Sequence, residues 1–582
     1  MMDNSSKDME KHSGVDVVDP VETNPNTPAE NETLQRAKVY QTGWRLHLLT
    51  AGLCLSLLLS TLETTIVSTS LVSMVNALDG FSQANWVVTS YLLTYTGFLI
   101  IYARLSDFFG TKLLLIIALS LFTLFSIACG VSNSMLQLII FRSFQGLGAS
   151  GIYSLVTVMT PLMVPPAKYP TYIAVISSVF AVSSVLGPLL GGAIADHTTW
   201  RWVFWLNGPG GLIAITIIFI SIPFGFPYSG GGIDLEKQQF WKTLTREKKW
   251  KRFDFLGAFA SLAASILVVF ALEQGGVVYN WDSAAIITPF ALSGVFWVVF
   301  VLWERRASLS LKKGAADTEP LFPWRLACNR LVLGLLLNAF LTGFPFMAAL
   351  INIPQRFQVL NGTTAVNAGL RMLPLLLCSP VATTISGWLL SKFKLPPLYV
   401  LILGCALQAI GIGLFSSLPV SDSRIRPAQY GYQVIMGFGF GFNLGTLVMM
   451  VPLVVKQADM AVTMGSVTQI RVLGGTIGLA ACSAMLSSHV ASSTSHLLTA
   501  AQQDALLKSF QSIRFLSPEQ QVKVREIYGE GYNQQMRSML YFTLAAIVSL
   551  TLLVEKNPRR LQTSEDGEIV AREEQDKSQN LR

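Results

Sequence analysis

Charge is what this chain lacks. Of 582 residues only 13% are Asp, Glu, Lys or Arg, against roughly 25% in a soluble domain. By contrast 51% are hydrophobic, and the mean hydropathy is +0.50. A water-facing globule of this length would have too little polar surface to dissolve, so the composition points to an integral membrane protein.

Patterns of metal, redox and nucleotide chemistry are missing too. The five histidines form no HExxH pair, and the six cysteines, each in or beside an apolar run, show no CxxC spacing. They read as small packing residues. No GxxxxGK[ST] loop appears, so neither ATP-driven pumping, nor an enzyme active site, nor a bound cofactor is expected. A net charge of +8 would suggest nucleic acid in a soluble protein. Here the basic residues sit in short loops between apolar runs, where they orient a chain in a bilayer, so nucleic acid is not an expected partner. A cleavable leader is not expected either. Residues 1–44 are polar and rich in Asp, Glu, Asn, Thr and Pro, as in a disordered tail, and residues 556–582 are similar.

What is present is a series of apolar runs, each near the 20 residues that span a bilayer. Fourteen are expected: 47–70, 85–103, 113–133, 136–160, 171–195, 202–222, 255–273, 285–303, 328–351, 366–390, 397–417, 429–451, 462–487 and 537–555. With both tails cytosolic, the inner loops collect most Lys and Arg, including KKWKRF in the loop between the sixth and seventh runs. The short outer loops hold only Arg201, Arg356, Arg424 and Arg426. The segment 488–536 reads as a long outer stretch whose AAQQDALLKSFQSIRFL portion has helical apolar spacing. Asn361-Gly362-Thr363 falls in an outer loop and is a candidate glycan acceptor.

Several short stretches carry more information. In LLLSTLETTIVSTSL, Glu63 sits inside the first apolar run, where a carboxylate is costly and functional by default. In LIIFRSFQGLGASG, Arg142 and Gln145 share a helix face. Arg142 either pairs, binds substrate or snorkels to the nearby helix end. In SSVFAVSSVLGPLLGGAIAD, Gly187, Pro188, Gly191 and Gly192 fall within two turns, which permits close helix approach and a bend. In YARLSDFFGTKLLL, Asp107, Gly110 and Lys112 make a tight charged turn suited to a latch that breaks when helices move, or simply to loop solubility. GFGFGFNLG places Gly437, Gly441 and Gly445 on one helical face, a packing seam.

Taken together, LETTIVSTSL, RSFQGLGASG, GPLLGG, WRWVFWLNGPGG and QIRVLGGTIGLA resemble, in order, motifs of the major facilitator superfamily. More narrowly the chain resembles fourteen-helix drug:proton antiporters of the fungal toxin-efflux type, over about residues 45–555. There are departures. Glu63 stands where that family usually has Asp, and Val72 where it has Pro. Ala103, Phe108 and Thr111 replace a usual Gly, Arg and Arg.

The resemblance implies an all-α membrane fold. A six-helix bundle (45–222) and a second (328–555) would flank two inserted helices (255–303), joined by cytosolic loops 223–254 and 304–327. It implies proton-coupled export of a small amphipathic organic compound, a fungal secondary metabolite or toxin or a drug. Uptake by a symporter of the same fold, and a non-transporting receptor, are the alternatives. A carboxylate removed from water favours its neutral form, so Glu63 is a candidate site to load and release a proton, with Arg142 as charge partner; a structural hydrogen bond to a neighbouring helix, or substrate contact without titration, are the alternatives. Gln145, Asn207, Gln469 and Arg471 are the candidate cavity residues; Arg371 reads as a snorkelling side chain. The expected setting is a monomer in the plasma membrane, with a vacuolar or vesicle membrane as the alternative.

Overall fold

The computed structural model describes residues 41–78, 84–165, 168–222, 253–276, 279–312, 319–420, 425–499, 501–503, 506, 513 and 515–560. The two tails, the 224–252 part of the basic loop and most of the AAQQDALLKSFQSIRFL stretch lie outside the described residues. So does the side chain of Asp107.

Each expected apolar run corresponds to a helix. They are α1 Gly43–Leu78, α2 Ala84–Phe109, α3 Thr111–Val131, α4 Met135–Met163, α5 Tyr169–His197, α6 Trp202–Ser221 and α7 Phe255–Gln274. The rest are α8 Ala284–Lys312, α9 Arg330–Asn361, α10 Leu373–Lys392, α11 Pro397–Ser416, α12 Ala428–Val454, α13 Gln457–Thr494 and α14 Pro518–Ser549. Among the described residues 13 are long and apolar enough to cross a membrane; α5, whose described apolar part is Thr171–Phe180, is a 29-residue helix in the remaining place.

Two ends differ from the sequence reading. The segment 488–536 is helical at both ends: α13 runs on to Thr494 and α14 starts at Pro518. Apolarity alone misses these turns because they are polar. A capping box marks the start of α14, with the Ser517 side chain accepting from Gln520 N and Gln520 returning to the Ser517 backbone. Between them Leu498, Leu506, Ile513 and Leu516 pack with Val359, Val490, Tyr528 and Tyr532, so this stretch caps one end of α9, α13 and α14.

The helix pairings show an internal repeat. In the first six helices α1 packs on α5 and α6, α4 on α2 and α3, and α3 on α6. Eight helices later the same set recurs: α9 on α13 and α14, α12 on α10 and α11, and α11 on α14. The two six-helix bundles meet through α5 with α10 and α2 with α13, which are themselves equivalent under the repeat. The hairpin α7–α8 packs α7 against α2 and α13, and α8 lies outside, with 17% of its apolar window buried. Its remaining surface is what a lipid-facing helix presents.

Small residues set the seams. A Cβ on Gly187 would lie 2.0 Å from Thr65 Oγ1, so GPLLGG is where α5 meets α1. Thr65 donates to the Ser183 carbonyl at 3.3 Å, and Ser70 to that of Gly191 at 3.4 Å. Gly437, Gly441 and Gly445 face α10; a Cβ on Gly441 would meet the Ser379 carbonyl at 2.0 Å. At the end where α2 joins α3, Leu390 and Met449 of the second bundle join the core around Tyr153, Met159 and Met163 of the first.

Candidate functional site

The first bundle holds a polar knot in an otherwise apolar core. Glu63 on α1 is fully buried (0% exposed), as is Arg142 on α4 (1%). Arg142 Nη1 donates to Glu63 Oε1 at 2.7 Å and to Gln145 Oε1 at 2.8 Å, and Nε donates to the Val87 carbonyl at 3.0 Å. Asn207, at the head of the α6 main segment, donates to Glu63 Oε2 at 2.6 Å. Gln145 Nε2 donates to Ser126 Oγ on α3 at 2.7 Å. The guanidinium carbon lies 4.3 Å from the centroid of the Tyr91 ring, a cation–π geometry. Five helices of the bundle therefore converge on one ion pair.

Burying two charges is expensive unless partners satisfy them. Here each Glu63 oxygen has a donor, and the guanidinium has a carboxylate, an amide oxygen, a backbone carbonyl and a ring face. The snorkelling reading of Arg142 is replaced: the side chain turns inward. Gln145 and Asn207, expected in a substrate cavity, belong to this knot instead. Val87, Tyr91 and Ser126 were not singled out in the sequence, since nothing in their spacing shows which helix faces them.

Arg471 lies elsewhere, near the middle of α13. It lines a cavity of about 20 Å³ with Thr342, Phe346, Gln408, Phe440, Asn443, Leu444 and Leu447. Its Nη2 donates across the bundle interface to Tyr153 Oη on α4 at 2.6 Å. Gln469 is not part of that lining. It faces α2 and α7, accepting from Ile100 N at 3.2 Å and donating to Ser265 Oγ at 3.5 Å. Arg371, partly exposed, donates to Tyr430 Oη.

In the tight turn, Gly110 has φ +86°, a conformation side chains disfavour, and it caps α3. Lys112 donates to the carbonyls of Phe219 at 3.0 Å and of Ile222, so it closes the C-terminus of α6 within its own bundle. Arg104 of this motif pairs with Glu319, at 2.9 Å, in the connection to α9. Close by, Arg325 pairs with Asp459 at the start of α13 at 2.6 Å. A Cβ on Gly465 would lie 2.5 Å from that of Ala103, so a glycine on α13 makes room where α2 carries alanine.

The family model described as Major Facilitator Superfamily matches residues 53–293 and 245–479. The chain belongs to the major facilitator superfamily. Among curated relatives of this facilitator is "MFS-type transporter FPY5" of Fusarium mangiferae, 62% identical over 532 residues, covering 91% of this chain and 87% of the relative. Another is "Efflux pump aunC" of Aspergillus niger, 32% identical over 440 residues, 75% of this chain and 73% of that one. A solved bacterial homologue of the human lysosomal transporter Spinster superposes with a TM-score of 0.55 at 15% identity, over 88% of this chain and 97% of that chain, a likeness of fold. The facilitator is thus a multi-pass membrane transporter whose relatives include fungal efflux pumps.

Proposed function

We propose that this transporter is a proton-coupled exporter of small amphipathic organic compounds, with a fungal secondary metabolite or toxin, and drugs, as cargo. One observation carries the coupling: a fully buried carboxylate, Glu63, held by Arg142 and Asn207 from two other helices. A proton arriving at Glu63 competes with Arg142 for Oε1. Once Glu63 is neutral, the electrostatic tie of α1 to α4 is gone, and the bundle has a reason to repack. Relatives named efflux pumps support the direction, as does the GPLLGG crossing that seats α5 against α1 beside Glu63. Release of the proton on the other side would restore the pair.

The same reading places the tails and the basic loop in the cytosol, by the distribution of Lys and Arg, and the protein, a monomer, in the plasma membrane. It divides the chain at 45–222, 255–303 and 328–555. Asn361, at the end of α9 beside the positive-φ Gly362, then faces outward as a glycan acceptor.

Inside-out vesicles containing the protein test this. Fluorescent amphipathic compounds should accumulate when an inward-acid pH gradient is imposed and should not when it is collapsed. Accumulation indifferent to the gradient would remove proton coupling. Accumulation only in right-side-out vesicles would make the transporter an importer.

A further inference from the structure

The cavity around Arg471 has an uneven hydrogen-bond balance. A chain of polar side chains runs through the second bundle. Asn338 Nδ2 donates to the Ala546 carbonyl at 3.0 Å and to Ser549 Oγ at 3.1 Å and lies 3.9 Å from Cys405 Sγ, and Cys405 Sγ–H donates to Asn443 Oδ1 at 3.4 Å. Asn443 Nδ2 donates in turn to Gln408 Oε1 at 2.6 Å. Gln408 is 0% exposed, and its Nε2 is left with no partner. Thr342 spends its hydroxyl proton on the Asn338 carbonyl at 2.7 Å.

On the other wall is Arg471. Of its five N–H groups, the hydrogen bond observed is the one to Tyr153. Among the described residues no carboxylate pairs with it, whereas Arg142 has Glu63. Around the cavity, Arg471 and Gln408 Nε2 thus carry N–H groups in surplus. Phe346 and Phe440, edge to face at 5.3 Å, together with Leu444 and Leu447, supply an apolar wall.

We propose that this cavity is an oxyanion site: Arg471 and Gln408 hold the carboxylate or enolate of an amphipathic organic acid, whose apolar body lies against Phe346 and Phe440. This rests on the export reading and narrows the cargo to acids. At about 20 Å³ the cavity admits little more than one water-sized group, so a ligand enters as α13 draws away from α4. The oxyanion then replaces Tyr153 as the partner of Arg471. Tyr153 packs on Tyr95 at 6.1 Å, Tyr95 stacks on Tyr91 at 5.9 Å, and Tyr91 lies under Arg142. Cargo binding thereby loosens one end of an aromatic ladder whose other end touches the proton-binding pair.

Full-length protein in detergent tests this with three probes of one shape: 1-pyrenebutyrate, its methyl ester and pyrenebutyl-trimethylammonium, followed by pyrene fluorescence. The carboxylate is expected to saturate and to bind about tenfold to a hundredfold more tightly than the ester, the range for a charge-assisted hydrogen bond. Arg471→Gln should erase that preference, Arg471→Lys should retain part of it, and Gln408→Leu should reduce it. Thermal melts show whether each variant is folded, and Arg471→Lys keeps the test open if Arg471→Gln is not. Equal binding of the three probes, tighter binding of the ammonium, no saturable carboxylate binding, or an unaltered preference in folded Arg471→Gln would overturn the proposal. Gradient-driven accumulation in vesicles is read separately. If it persists while the preference is absent, the oxyanion site alone fails. If the preference holds without gradient-driven transport, the export reading fails.

Discussion

Glu63 and Arg142 form one unit, and neither is tolerable alone. Removing one partner of a buried pair strands the other's charge at a cost of about 3–5 kcal/mol. Glu63→Ala should therefore lower the melting temperature of the purified protein sharply. Glu63→Ala with Arg142→Ala should recover much of that loss, because no charge is then stranded. A double variant no more stable than the single one would show that the pair is not the reason for the loss. At this scale the sequence was informative where a polar residue interrupts an apolar run. Glu63 and Arg142 stood out for that reason, and they do meet at 2.7 Å. Gln408 and Asn443 carry the same signal, in GCALQAIGIG and GFNLG. Nothing in their spacing shows that the two amides meet, since they lie on different helices. That Gln145 and Asn207 join Glu63 and not a cavity depends on helix rotation, which no local pattern reports.

Helix seams follow from where glycine removes a side chain. Gly441 and Gly413 lie on neighbouring helices, yet a Cβ on Gly441 would strike a backbone carbonyl at 2.0 Å, while one on Gly413 would sit 3.7 Å from Leu540. Gly441→Ala should force α12 and α10 apart, at the 1–3 kcal/mol or more of an overpacked core; Gly413→Ala should be nearly neutral. Comparing the melts of the two variants checks this, and equal losses would show that the seam yields easily. Helix number and order were legible because apolar length is a direct physical requirement of the bilayer. Helix ends were not: α13 and α14 continue as polar helices, and only local cap chemistry such as Ser517 with Gln520 marks where α14 begins.

In the whole molecule, α2 against α13 and α5 against α10 are the surfaces that must change when the bundles rock. Contact between α2 and α13 is tight at Ala103 and Gly465, where the built Cβ atoms would be 2.5 Å apart. An outward shift of about 1 Å or more brings the pair to the Cβ separation of a disulfide, about 3.5–4.5 Å. In a Cys328→Ser background, which removes the exposed native thiol, Ala103→Cys with Gly465→Cys should cross-link on oxidation. Transport should then stop and return on adding reductant. Full transport by the cross-linked protein would mean that this interface does not open. The repeat of helix pairings was visible in the sequence only through resemblance, since pairing is a matter of long-range contact and the two halves need share no local pattern.

Glu63 is argued to couple proton movement to transport, and the most direct test separates coupling from passage. In vesicles, the compound that the wild-type protein accumulates best should still exchange with its unlabelled form through Glu63→Gln at no gradient. The same variant should fail to accumulate it when a pH gradient is imposed. Gradient-driven accumulation by folded Glu63→Gln at the wild-type level would contradict the coupling role and leave Glu63 as a structural partner of Arg142.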